Sequence, residues 1–450
     1  MSLLTKQEIY KRLKTSKFKL SKKQLNNNLE FTYNNFIRFT KKVDNSYGDE
    51  NYINPSLWQM GHVIYFYLEY TILLLPIDKK KYEDFYNLDL SNFYDSKKTP
   101  LKYRNDNKYL MDYKTCITIY KKIIIILKYF INTNSITNIE TYIIMLGILH
   151  NEMHNEAFIF NSQCIFNKSL NIINAIPNFI NNNNDNNLID NFTFIDYDEG
   201  EFIQGINDSE DNLIFDNEKP QFKKKINKFS VSKYPVTEYM FSLFIRDCGY
   251  ENDDYWCYNG LLWKNDNNIK MPLYWKYDTK ENNYYKLVNN DKISIKSNKP
   301  VSNISYYEAK AYCKWKNVRL LYESEHEYIS TNCGTTKYPW GNKKINHSLA
   351  NVNYNNNILD VNVYKDGDND KGVSQLIGNV WEWCEESIYP YDGFTIDPIY
   401  RDMSYPFFGF KKICKGGSFA VADFLIHPKY RNAQYPDCRI QYIGFRVCKI

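Results

Sequence analysis

Residues 181–187 read NNNNDNN, and this stretch divides the chain into two textures. A run of Asn and Asp carries no apolar side chain to bury and no periodicity, so it reads as a linker. On its N-terminal side, apolar residues recur at three- and four-residue spacing in 58–74, 113–131 and 139–160. That is the period of amphipathic helices. Asn54 and Pro55 offer the first of these an N-cap and a first-turn proline. Long amphipathic helices with modest loops predict an up-and-down bundle. Beyond about residue 190 the period disappears, and short apolar runs alternate with Trp and with glycines that mark tight turns. Helices are expected there only at 237–247, 305–315 and 323–329. The expected organisation is a multidomain one: a helical bundle over 1–178, a linker over 179–190, and an α+β domain over 191–450.

Composition bounds the function. A chain of 450 residues has room for two or three domains. Its net charge is +5, with 57 basic and 52 acidic residues interspersed, which is not the footprint of a nucleic-acid binder. The Lys runs at 79–81 and 223–225 read as solvated surface. Ten cysteines lie scattered with no CxxC pair, so a disulfide scaffold is not expected and a reducing compartment fits. The opening MSLLTKQEIYKRLK has no apolar segment of signal-peptide length. The most apolar run, Ile123 to Leu127, is bracketed by Lys122 and Lys128 and is too short for a membrane span. A cytoplasmic protein with neither membrane nor nucleic-acid partners is expected. The 41 tyrosines reflect a coding bias toward Asn, Lys, Tyr and Ile, so a lone Tyr carries little weight.

Histidine is scarce, with six in the chain, and two of them stand in LHNEMHNE as His150 and His154. Four-residue spacing puts both imidazoles on one face of a helix, where they can share a metal ion. A third, His62, lies in NPSLWQMGHVIYFYLEY on another expected helix, and facing helices of a bundle commonly assemble metal sites. A zinc protease needs HExxH, and Asn151 stands where that motif has Glu. Three imidazoles with open positions suit a divalent first-row metal, and spacing alone does not separate zinc from iron or the set from a chance pair. Glu156 is a candidate fourth ligand or a partner that orients an imidazole. His326, His347 and His427 are isolated and read as structural or surface residues.

These motifs, in this order, resemble the iron-dependent sulfoxide synthases of ergothioneine and ovothiol biosynthesis. That family joins a DinB-like helical bundle to a C-type-lectin-like α+β domain of the formylglycine-generating-enzyme class. NPSLWQMGH and HNEMHNE resemble its iron-ligand motifs. GEFIQG, KYPVTEYMFSLFI, MPLYW, PVSNISYYEAKAYCKW, RLLYESEHEY, YPWGN, GVSQLIGNVWEWC, KGGSF and GFRV resemble the second domain. The likeness spans roughly residues 50 to 450. It implies Fe(II) on His62, His150 and His154, with O₂, a cysteine-type thiol (cysteine or γ-glutamylcysteine) and an imidazole (hercynine or histidine) as reactants. It implies an active-site tyrosine shortly after WEW, where SIYPYDGF offers Tyr389 and Tyr391, either of which could deliver a proton. Asn432 and Gln434 of KYRNAQYP would line the substrate pocket. Arg104, with Lys102 beside it, would bind a substrate carboxylate. Met153 stands where ergothioneine-type members often carry a glutamine that contacts the betaine, which leaves histidine open as acceptor. The segment from Ser418 to Asn432 holds no cysteine, and Cys414 and Cys438 lie outside the positions that copper binding uses in formylglycine formation, so that reaction is not expected. Two other readings stay in view: a metal-dependent thiol transferase without O₂ chemistry, and a non-catalytic lectin-like binding protein.

Overall fold

In the computed structural model the described residues are 4–14, 16–41, 53–83, 90–106, 108–164, 187–288 and 291–450. The chain forms two compact units. One comprises Met1–Ala175, Asn207–Asp216 and Thr395–Tyr405; the other comprises Ile176–Ile206, Asn217–Phe394 and Pro406–Ile450. Two short segments from beyond the expected linker thus belong to the helical unit. Most of the expected linker, 179–186, lies outside the described residues.

The helical unit is built on Lys22–Thr40, Ser56–Tyr67, Tyr113–Thr133 and Asn138–Cys164. Capping starts three of them. Ser21 and Gln24 form a capping box, Asp112 accepts the N–H of Thr115 at 2.7 Å, and Thr137 and Glu140 cap reciprocally. The helix carrying His62 begins differently from expectation. Pro55 is its N-cap without a side-chain bond, and the Asn54 amide oxygen instead accepts from Arg104. A π-helical turn, Leu68–Ile72, continues it. The expected periods are visible in burial: Leu25, Leu29, Phe36 and Phe39 are buried, as are Ile123, Leu127, Ile143, Leu146 and Phe158, and the Phe36 and Phe158 rings meet edge-on at 5.7 Å. Among the described residues, no helix is long and apolar enough to cross a membrane.

The second unit holds thirteen described strands in four small sheets. β1 (Phe194–Tyr197), β4 (Phe229–Ser232), β13 (Val447–Lys449) and β8 (Val318–Leu320) form one sheet in the order β1-β4-β13-β8. β11 (Asn432–Gln434), β10 (Lys412–Lys415), β9 (Trp381–Ser387) and β12 (Ile443–Gly444) form another. β2 (Gly200–Gln204) pairs with β3 (Phe222–Ile226), and β5 (Trp275–Asp278), β6 (Asn283–Val288) and β7 (Asp291–Ser294) make a meander. The expected helices appear as Glu238–Arg246, Tyr306–Lys316 and Glu323–Ser330. A fourth, Tyr258–Asp266, and the meander β5–β7 were not legible in the sequence.

The GNVWEW motif explains its own length. Asn379 takes a left-handed φ of 68°, and its amide bonds both backbone groups of Leu359 and the Gln375 side chain. Trp381 and Trp383 are buried. Between them Glu382 binds Arg446 of GFR through two bonds of 2.6 and 2.7 Å. A guanidinium meeting a carboxylate in this forked manner, both buried, ties two distant motifs into one core.

Candidate metal centre

Two helices bring His62, His150 and His154 together. One ligand nitrogen of each lies within 4.8 Å of the others. Ring centroids are 5.1 Å apart for His62 and His150, 5.0 Å for His62 and His154, and 4.6 Å for His150 and His154. The pair on Asn138–Cys164 follows from four-residue spacing, and Gln59 pins the facing helix by donating to the His154 carbonyl at 3.0 Å.

Two of the rings are oriented by neighbours. His62 Nδ1 lies 2.7 Å from the carbonyl of Tyr94. A carbonyl only accepts, so Nδ1 carries the proton and Nε2 keeps its lone pair. Trp58 stacks on His62 at 5.0 Å and 10°, and Phe66 stacks on His150 at 3.6 Å and 6°. The Nδ1 atoms of His150 and His154 are buried with no hydrogen-bond partner. Burial, with the Arg104 charge adding to it, pulls the pKa of His62 down to about 4; burial holds His150 and His154 well below the usual imidazole value, with neighbouring imidazoles adding to the effect in both and Arg104 in His154. Three converging neutral imidazoles, two of them with a buried, unpartnered nitrogen, are the donor set that a divalent transition metal takes. No other group of three such side chains occurs among the described residues, and Glu156, though buried, is not part of this one.

Asn151, the departure from HExxH, turns away into the bundle core. It accepts from Tyr120 at 2.5 Å and donates to Asn155. Met153 is half-buried on the same helix. Arg104 uses its donors on Thr99, Asn54 and Ser96 and lies over Trp58. Tyr389, Tyr391, Asn432 and Gln434 belong to the second unit. Tyr389 is exposed, while the Tyr391 hydroxyl donates to Glu323 and its ring lies under Arg431. Asn432 and Gln434 are half-buried in β11, paired with Cys414 and Lys412 of β10.

One tyrosine that sequence reasoning missed does sit at the histidines. Tyr400, in the segment Thr395–Tyr405 of the helical unit, meets His150 edge-on at 5.6 Å and Phe66 at 5.0 Å. Burial pushes its phenol well above the ordinary value, so it stays protonated. Asp397 places it: one carboxylate oxygen accepts the N–H of Ile399 at 2.8 Å and of Tyr400 at 2.7 Å, and the other accepts the Tyr142 hydroxyl from the His150 helix. The Asp-Pro turn before Tyr400 was the available signal, an Asx-type turn that aims the following side chain.

The chain is 30% identical over 256 residues to the hercynine oxygenase of Mycolicibacterium thermoresistibile, covering 55% of this chain and 56% of the relative. It is 29% identical over 252 residues to that of Mycobacterium tuberculosis, covering 55% and 58%. It is 27% identical over 283 residues to the formylglycine-generating enzyme of Mus musculus, covering 55% and 72%. The chain thus spans a little over half the length of the hercynine oxygenases it matches. Residues 183–450 match the sulfatase-modifying factor enzyme 1-like domain (FGE-sulfatase), and since that is more than half of the sequence, the chain belongs to this family.

Proposed function

We propose that this protein is an O₂-dependent sulfoxide synthase that joins a cysteine-type thiol to the imidazole of hercynine or histidine. On this reading the helical unit is a DinB-like bundle and His62, His150 and His154 hold Fe(II). The observation that carries it is the convergence of three neutral imidazoles from two helices, in a chain whose relatives include hercynine oxygenases. A thiol transferase without O₂ chemistry would use the same ligands, and the relatives' name favours the oxygen-using reading.

Bound Fe(II) would supply a redox centre at which thiol, imidazole and O₂ meet in fixed positions. The overall reaction takes four electrons from the organic substrates: two in forming the C–S bond and two in oxidising sulfur. O₂ accepts all four; one oxygen atom goes to the sulfoxide and the other leaves as water with the thiol and imidazole protons. The chain's residues set the stage for this. The Tyr94 carbonyl holds His62 in one tautomer, and the flat faces of Trp58 and Phe66 fix two ligand rings and cover them from water. Tyr400 is the protonated phenol beside His150, and it takes the proton-delivering role that resemblance offered to Tyr389 or Tyr391. Oxygen uptake by the Fe(II)-loaded protein, measured with each pairing of cysteine or γ-glutamylcysteine with histidine or hercynine, tests the reading. One pairing should consume O₂ and give a sulfoxide by mass spectrometry. Thiol transfer without O₂ consumption would replace this reading with the transferase.

A further inference from the structure

Arg104 is the arginine that resemblance offers to a substrate carboxylate, yet its surroundings in the helical unit give it other work. Its Nε donates to the Thr99 carbonyl at 2.8 Å, Nη1 to Asn54 Oδ1 at 2.6 Å and Nη2 to the Ser96 carbonyl at 3.1 Å. These bonds fix the guanidinium plane over the indole of Trp58, with Cζ 4.1 Å from the ring centroid. The indole is itself pinned, since its Nε1–H donates to the Phe93 carbonyl at 2.8 Å. The same indole lies parallel to the His62 imidazole, at 10° and 5.0 Å.

We propose that Arg104 and Trp58 are positioning residues for the ligand His62, acting as a guanidinium–indole–imidazole stack. This rests on the metal reading of the three histidines. The Tyr94 carbonyl fixes the direction of His62 Nδ1 but leaves the ring free to tilt about that hydrogen bond. A flat neighbour removes the tilt, and so aims the other nitrogen. Arginine suits this place because its planar fork can bond three oxygens and lie flat on indole at once; a lysine ammonium, a compact point charge, has no plane to lay against the ring. Partners that orient a metal-bound histidine typically contribute ~10–100-fold to metal affinity.

The test uses the full chain with Co(II) as probe, reading affinity by chelator competition and ligand geometry from the visible d–d bands. Arg104→Met and Trp58→Leu should each weaken Co(II) binding by about tenfold or more and shift the bands. Trp58→Phe, which keeps a flat ring, should recover most of the loss. Lys108→Met, in the same loop region with its ammonium over Tyr109, should change neither reading. Parental affinity and bands in both Arg104→Met and Trp58→Leu would overturn the proposal, as would an Arg104→Met effect confined to KM for the thiol. If Arg104→Met does not fold, the Trp58→Leu and Trp58→Phe pair decides. A parent protein that takes up no Co(II) removes the metal reading and the stack with it; a parent that binds while the variants are unaltered removes the stack alone.

Discussion

Replacing Tyr142 with Phe deletes one hydroxyl about two helical turns before His150 and tests what holds Tyr400 at the histidines. The Tyr142 hydroxyl donates to Asp397, whose other oxygen accepts the N–H groups of Ile399 and Tyr400. Both partners are buried, at 3% and 8% exposure, so water does not replace a lost donor freely. A hydrogen bond to a charged group contributes about 1.5–3 kcal/mol, and the same-shaped Phe adds no cavity term. For a unit of roughly 200 residues, each kcal/mol shifts Tm by about 2–4 °C, so a fall of about 6 °C is expected. The phenol is held protonated by burial and by Asp397, so the loss should not depend on pH in the neutral range. Scanning calorimetry of the parent, Tyr142→Phe, Asp397→Asn and the double variant gives the coupling. The singles should not add, with an interaction of about 1 kcal/mol or more. A Tyr142→Phe protein melting within about a degree of the parent, or strictly additive effects, would refute the reasoning.

Three further outcomes follow from the same geometry. The buried histidines bind fewer protons folded than unfolded, so their contribution is complete above pH 6.5 and disappears as pH falls from 6.5 toward about 4, where His62 titrates; urea midpoints of the metal-free chain should drop across that window, and less so in His62→Gln. Glu386 behaves oppositely: burial pushes its carboxyl up to about 7 while it accepts the Glu323 N–H at 2.8 Å, so stability is lost as pH rises from 4.5 through 7, and Glu386→Gln should flatten that slope. Gly61→Ala places a methyl 2.0 Å from the Tyr94 ring, so it should destabilise by about 1–3 kcal/mol in denaturant and, by displacing the Tyr94 carbonyl from His62, weaken metal binding.

The sequence was informative where a period or a spacing maps directly onto geometry. Four-residue spacing put His150 and His154 on one face, and His62, the candidate on the facing helix, lies with them in the structure. The helices Glu238–Arg246 and Tyr306–Lys316 start where Thr237 and Ser305 promise caps. It was uninformative where the deciding contact is long-range. Asn54 looks like a helix cap, yet an arginine fifty residues away claims its side chain. Tyr400 is one tyrosine among 41, and its place depends on a short segment folding with the helices rather than with its sequence neighbours. The meander β5–β7 is hidden because its strands share no regular alternation and, Trp275 apart, their described side chains are half-buried or exposed, so no buried face imposes a pattern.

The account stands most directly on metal content. Purified chain reconstituted with Fe(II) without oxygen, desalted, and analysed for elements should carry one iron per chain, and the His62→Ala, His150→Ala and His154→Ala proteins should each carry little or none. Iron absent from the folded parent, or retained in full when all three histidines are replaced together, would contradict it.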